Sequence, residues 1–257
     1  QSGIFRIHGK LRQPPDAGVL MVLRHGRRDT PAIFADTSHK VEISDVTVYQ
    51  AAGMGVIAQS CRDLTLSKFA VRIAPGSNRF FSVCADAVHM VNCAGDIVIT
   101  DSIFENQFDD AINIHGIYSV VSEWFSPSSV KVKLAHEAQK GLSLGRTGDR
   151  MRFTLQNSLR PVEEAVVKRI EPFDLEYTIV EFDRDLGISG KKDFALENLD
   201  LRPDSVEIRD CIARNNNPRG FLISVGGRVL IQNNTISVPG AAIRISGDAG
   251  TWFESGP

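Results

Sequence analysis

Two short stretches of this 257-residue sequence place carboxylates where they could do chemistry. One reads Cys84-Ala-Asp86-Ala-Val-His89, the other Phe108-Asp109-Asp110-Ala-Ile-Asn113-Ile-His115-Gly116. The two align as Asp-Ala-apolar-polar-apolar, with Asp86 matching Asp110 and Ala87 matching Ala111. On adjacent layers of a stacked fold these two Asp residues sit one above the other, at a strand spacing of about 4.8 Å. Asp109 joins them where the chain bends. Three carboxylates so close repel one another and raise at least one pKa. Such a cluster weakens a fold, yet it is what hydrolysis of a glycosidic bond needs: one protonated acid, and one or two ionised groups to activate water. The alternatives are turn residues or a calcium site. Calcium takes a wider set of oxygen ligands, and Ala111-Ile112 supply none through their side chains. His89 and His115 beside the Asp residues suggest a metal site less readily than they suggest hydrogen bonding to sugar or Asp by His115 and a structural role for His89. No metal and no cofactor are expected.

Such a cluster needs elements to hold it, and an internal repeat provides them. An apolar-any-apolar-any-Asp/Asn pattern appears as Val41-Glu-Ile-Ser-Asp45, Ile97-Val-Ile-Thr-Asp101, Val206-Glu-Ile-Arg-Asp210 and Val229-Leu-Ile-Gln-Asn233, with a weaker copy at Leu64-Thr-Leu-Ser-Lys-Phe69. Each copy is a short strand with one apolar face, then a residue that tolerates left-handed backbone. One unit cannot bury its face; stacked units can. A β-sandwich also uses short alternating strands but does not predict one motif at a fixed spacing. The fold class expected is therefore all-β: a right-handed parallel β-helix, with Asn215-Asn216-Asn217 and Asn233-Asn234 compatible with polar ladders at its turns.

The repeat breaks off between about 118 and 200. Strand-like runs there (Val130–Leu134, Met151–Leu155, Ala165–Ile170, Tyr177–Phe182) are separated by Gly and Pro turn signals. The pattern predicts a small antiparallel β-barrel-like domain looped out between two rungs. The organisation expected is 1–117 for rungs with the Asp cluster, 118–200 for the insertion and 201–257 for the β-helix continuation. Neither end has an obvious cap, which predicts a piece of a longer protein.

Composition narrows the function. Charges are mixed, 29 basic against 31 acidic, with no basic segment, so nucleic-acid binding is not expected. No apolar run approaches a membrane span of about 20 residues. The four cysteines, Cys61, Cys84, Cys93 and Cys211, form no CxxC pair. Cys61, Cys93 and Cys211 fall near equivalent repeat positions and read as a stack of small buried side chains, with a disulfide as the alternative. Oligomeric state is not legible.

The residues now quoted, together with Cys93-Ala-Gly-Asp-Ile, Phe104-Glu-Asn-Gln, Arg219-Gly-Phe221 and Gly247-Asp-Ala-Gly-Thr-Trp-Phe-Glu-Ser-Gly-Pro257, resemble glycoside hydrolase family 110. The resemblance implies a bacterial, inverting, exo-acting α-1,3-galactosidase, secreted or periplasmic, acting on glycans with terminal α-galactose such as blood-group-B antigens. It implies Asp109 as general acid and Asp86 with Asp110 holding the water. Inversion in turn implies carboxyl groups about 6.5–9.5 Å apart. Asn113, His115, Arg219, Trp252 and Glu254 are the expected sugar-binding residues. Trp252 would cover the apolar face of galactose while Glu254 takes a hydroxyl; for Trp252, packing against a neighbouring loop is the alternative. Two further readings stand beside this one: a polygalacturonase-like hydrolase, and a non-enzymatic carbohydrate-binding β-helix. The Trp-Phe-Glu stretch favours a neutral terminal sugar over an acidic chain.

Overall fold

The computed structural model describes residues 30–256 continuously, and before them residues 9, 13–19, 21–22 and 28. Most of the segment 1–29, which the domain reading assigned to the first rungs, lies outside the described residues. Within them the chain is almost entirely β, with one 3-10 turn at Glu137–Gln139. It visits three parallel sheets in a fixed order, circuit after circuit. The first sheet takes Ile33–Asp36, Val56–Gln59, Val88–Val91, Ile112–Ile117, Phe221–Ser224 and Ile243–Arg244. The second takes His39–Ser44, Arg62–Ser67, Ala94–Thr100, Pro203–Arg209 and Arg228–Gln232. The third takes the short strands Thr47–Val48, Ala70–Val71, Ile103–Glu105, Ile212–Arg214 and Thr235–Ser237.

The sequence repeat is the second sheet. Its copies pair in register as Val41, Leu64, Ile97, Val206 and Val229. These side chains and their i+2 neighbours point inward and join first-sheet residues such as Val88, Ile112 and Phe221 in one continuous core. The residue closing each copy turns the corner to the third sheet in left-handed backbone: Asp45, Lys68, Asp101, Asp210 and Asn233 all have φ between 50° and 56°. Short polar side chains lower the cost of that conformation, which is why Asp and Asn recur there.

The insertion is a closed six-stranded antiparallel barrel, ordered Ser119–Ser126, Ser129–Lys133, Tyr177–Phe182, Pro161–Pro172, Arg150–Leu155 and Phe194–Asn198. It departs from the expectation in one respect. It leaves the chain within a circuit, after a first-sheet strand and before the second-sheet strand of the same circuit, not between two rungs. Its core is separate, built on Val130, Val132, Phe153, Phe182 and Phe194. The cysteine reading also needs correction. All four cysteines are free, and Cys61 and Cys93 do occupy one column before the second sheet. Cys211 lies at the other corner, level with Ser102 and Phe69, because its motif ends one strand later in the circuit.

Candidate active site

The carboxylate column follows from strand register. Val88 pairs with Ile112, and Ile112 with Phe221. Two residues upstream of each, Asp86, Asp110 and Arg219 therefore share one position on three successive circuits. The backbone ladder runs through this column: Ala87 N–H donates to the Asp110 carbonyl at 3.0 Å and Ala111 N–H to the Arg219 carbonyl at 3.3 Å. Gly220 is required beside it, because a Cβ there would collide with the Ala242 carbonyl.

One oxygen from each of Asp86, Asp109 and Asp110 lies within 4.8 Å of the others. Asp86 and Asp110 sit on adjacent circuits and inherit the strand spacing, and Asp109 joins them from the neighbouring position in the chain. Each carboxylate has its own partner. Arg219 grips Asp110 with Nε and Nη2, each 2.8 Å from a carboxylate oxygen. Arg28 pairs with Asp109. Asp86 accepts the Asp110 N–H at 3.2 Å on Oδ1 and faces His89 Nδ1 at 2.7 Å with Oδ2. A compensated set of this kind has little net charge left to hold a cation.

The titration of the cluster follows from burial. The Asp110 side chain is 1% exposed. Burial pushes its carboxyl up to about 6, against the Arg219 hydrogen bonds and with help from the charges of Asp86 and Asp109. Burial and the Asp86 charge raise Asp109 too, opposed by Arg28 and Arg219. With 15% of its side chain exposed, Asp109 is the most open of the three. His115, fully enclosed, is pushed down to about 4 by burial and is neutral.

Asn113 and His115 alternate with the inward-facing Ile112 and Ile114 and so lie on the outer face of the first sheet. Asn113 Nδ2 donates to Glu254 Oε1 at 3.1 Å, and His115 Nε2 stands 3.7 Å from the same oxygen. Glu254 is brought there by a two-residue strand, Glu254–Ser255, antiparallel to Gly116–Ile117. A side chain at Gly116 would strike Ser255 Oγ. The preceding loop winds around the Asp248 carboxylate, which accepts the N–H groups of Gly250, Thr251 and Trp252 at 2.7–2.9 Å. The barrel holds this loop from outside. Gln139 Nε2 donates to the Trp252 and Phe253 carbonyls, Gln156 Nε2 donates to the Ala249 carbonyl, and the His136 ring sits 5.0 Å from the Trp252 ring.

Loop and sheet enclose a cleft of about 240 Å³, lined by Arg219, Arg244, Asp248, Trp252 and Glu254 among others. The eight residues singled out in the sequence are thus linked. Arg219, Trp252 and Glu254 line the cleft, Asn113 and His115 reach Glu254, and Arg219 holds Asp110 within the carboxylate cluster. Two partners were not singled out. Arg28 precedes the first repeat copy, so no register located it. His89 was read as structural, yet it lies three residues after Asp86, and its alternation with inward Val88 and Met90 was a signal that it faces the site.

Residues 22–158, just over half of the chain, match the family model described as glycosyl hydrolases family 28. Residues 129–193, most of the barrel, match GLAA-B beta-barrel domain II. The chain is 32% identical to alpha-1,3-galactosidase A of Shewanella woodyi over 99% of its own length and 42% of that protein's. It is 32% identical to alpha-1,3-galactosidase B of Bacteroides thetaiotaomicron, covering 94% and 39%, and to alpha-1,3-galactosidase B of Akkermansia muciniphila, covering 98% and 32%. It therefore spans about two-fifths or less of the length of these relatives. The chain belongs to the glycosyl hydrolases, matching the family 28 model across its carboxylate-bearing circuits.

Proposed function

We propose that this chain carries the catalytic centre of an exo-acting, inverting α-galactosidase that removes terminal α-1,3-linked galactose from glycans. The three sheets are read as a right-handed parallel β-helix, and the protein as one that works outside the bacterial cytoplasm, where such glycans are met. The observation that carries the proposal is a cleft of a size for a single sugar ring, lined by the Trp252–Glu254 loop and by Arg219, whose guanidinium grips Asp110 in the adjoining cluster of three carboxylates. Asn113 Oδ1 is buried without a protein partner, an acceptor that a sugar hydroxyl would satisfy. Asp109, the most open carboxyl and one with a raised pKa, is the acid. Asp86 and Asp110 hold the water. Both oxygens of each already accept hydrogen bonds from His89, the backbone or Arg219, which suits a water-binding pair better than a bare nucleophile.

The family 28 match favours a second reading, cleavage of an acidic polygalacturonate. It requires free cations for the substrate carboxylates. Arg28 and Arg219 are already paired, and Arg244 bonds Ser246 Oγ at 3.0 Å with the Asp248 charge nearby. The test is hydrolysis of an α-1,3-galactosyl disaccharide and a chromogenic α-galactoside beside polygalacturonate. Proton NMR of the first product should show β-galactose. Release of α-galactose would remove inversion, and cleavage of polygalacturonate alone would remove the galactosidase reading.

A further inference from the structure

The group behind Asp86 belongs to no step assigned so far. His89 Nδ1 lies 2.7 Å from Asp86 Oδ2, and His89 Nε2 lies 3.1 Å from His115 Nε2. His115 Nδ1 lies 2.7 Å from the Gly116 carbonyl. The two rings meet edge-on, 82° apart, with centroids 4.9 Å apart. Proton counting constrains this chain. A carbonyl only accepts, so His115 Nδ1 carries a hydrogen. Two ring nitrogens bond only if one of them carries a hydrogen. The contact to Asp86 needs a third. Two neutral imidazoles and a carboxylate hold two protons between them, so three bonds require one extra, and the trio has no net charge.

We propose that His89 is the positioning residue of the water-activating carboxylate: an imidazolium, backed by neutral His115, that pairs with Asp86 and fixes its Oδ2, leaving Oδ1 toward the water. The inference rests on the galactosidase reading for its catalytic meaning but not for its proton arrangement. The groups facing His89 are Asp86, Asp110 and Glu254, all acidic, and His115. Burial, the largest single influence on His89, disfavours its charge; the Asp86 hydrogen bond and the three acidic charges outweigh it, and its pKa lies above the ordinary value. His115 cannot take the charge, because burial and the charge of His89 hold it neutral. In a cluster of three carboxylates the imidazolium offsets part of their mutual repulsion.

The experiment has two arms on the whole protein. The first is activity-independent: long-range nitrogen–proton NMR of ¹⁵N-histidine protein between pH 5.5 and 7. His89 is expected doubly protonated and His115 as the neutral Nδ1–H tautomer, with Asp86→Asn removing the His89 charge. A neutral His89 in the wild type overturns the proposal even if every His89 variant fails to fold. The second arm compares His89→Ala with His89→Asn, which keeps a donor near Asp86 without a charge. Against a wild type shown to cleave an α-galactoside, His89→Ala should lower kcat roughly ten- to a hundred-fold with KM little changed, less than loss of the base itself. Its acid limb should move to higher pH. His89→Asn should recover part of kcat but keep the shifted limb. Unchanged kcat and pH profile in both variants overturn the proposal. An inactive wild type with the expected NMR states instead counts against the galactosidase reading alone.

Discussion

The stacked circuits and the barrel solve different problems. In the circuits a residue's place is set by register. Asp86, Asp110 and Arg219 meet because three strands pair two residues further on. The barrel contributes none of the three carboxylates. It instead grips, through His136, Gln139 and Gln156, the loop that brings Trp252 and Glu254 to the cleft. The difference teaches that the carboxylate column is placed by strand register, whereas the Trp252–Glu254 loop is paired to the first sheet and braced by side chains of the barrel.

The comparison breaks first at the carboxylates. Asp86→Asn and Asp110→Asn should each lower kcat by about 10²–10⁴-fold on every substrate. Asp109→Asn should cost as much on a disaccharide but less on an aryl galactoside, whose good leaving group needs little protonation. Equal losses on both substrates would take the acid role from Asp109. Next comes the barrel. Phe153 is fully buried against Phe182 and Phe194. Phe153→Ala should cost about 3–5 kcal/mol in denaturation. It should raise KM by loosening the loop while the carboxylates stay in register. A destabilised variant with unchanged KM would mean the barrel does not hold the recognition loop. Glu254→Gln should raise KM or lower kcat about tenfold, the worth of one hydrogen bond to a charged group, with no change in melting temperature.

The smallest effect concerns pH. The Asp110 carboxyl is raised to about 6 from 3.8, so its proton is held more tightly in the folded state. That contribution to stability is complete below about pH 4 and is lost as pH rises through about 6. The difference in melting temperature between Asp110→Asn and wild type should drift toward the variant by the equivalent of about 1–2 kcal/mol between pH 4 and 7. A difference that is flat with pH would show that Arg219 holds Asp110 at an ordinary pKa.

Much of this was legible in the sequence, for a physical reason. The second-sheet strands repeat because each buries the same face and ends in the same left-handed corner, so both alternation and Asp/Asn recur. The 24-residue offset between Asp86 and Asp110 survives as register. What does not repeat was lost. The barrel's closing strands carry less pattern than the rest: Ser119–Ser126 has register irregularities, and Phe194–Asn198 is buried throughout, so neither shows clean alternation. Arg28 has no copy to align with. Cys211 was misplaced because three similar motifs did not reveal which corner each one turned.

The place of the barrel inside a circuit also sets an order of events. To complete the second sheet, Ile97 must find Val206 across more than a hundred residues, a slow closure for a free chain. The barrel's first and last strands pair directly, Ser119 with Leu196, so once formed it delivers both ends of the interruption side by side. Hydrogen exchange during refolding should protect Val130–Lys133 and Tyr177–Phe182 before Pro203–Arg209; the reverse order would refute this sequence of events. The barrel is then a clasp in time as well as in space, and until it shuts Arg219 has no Asp110 to meet.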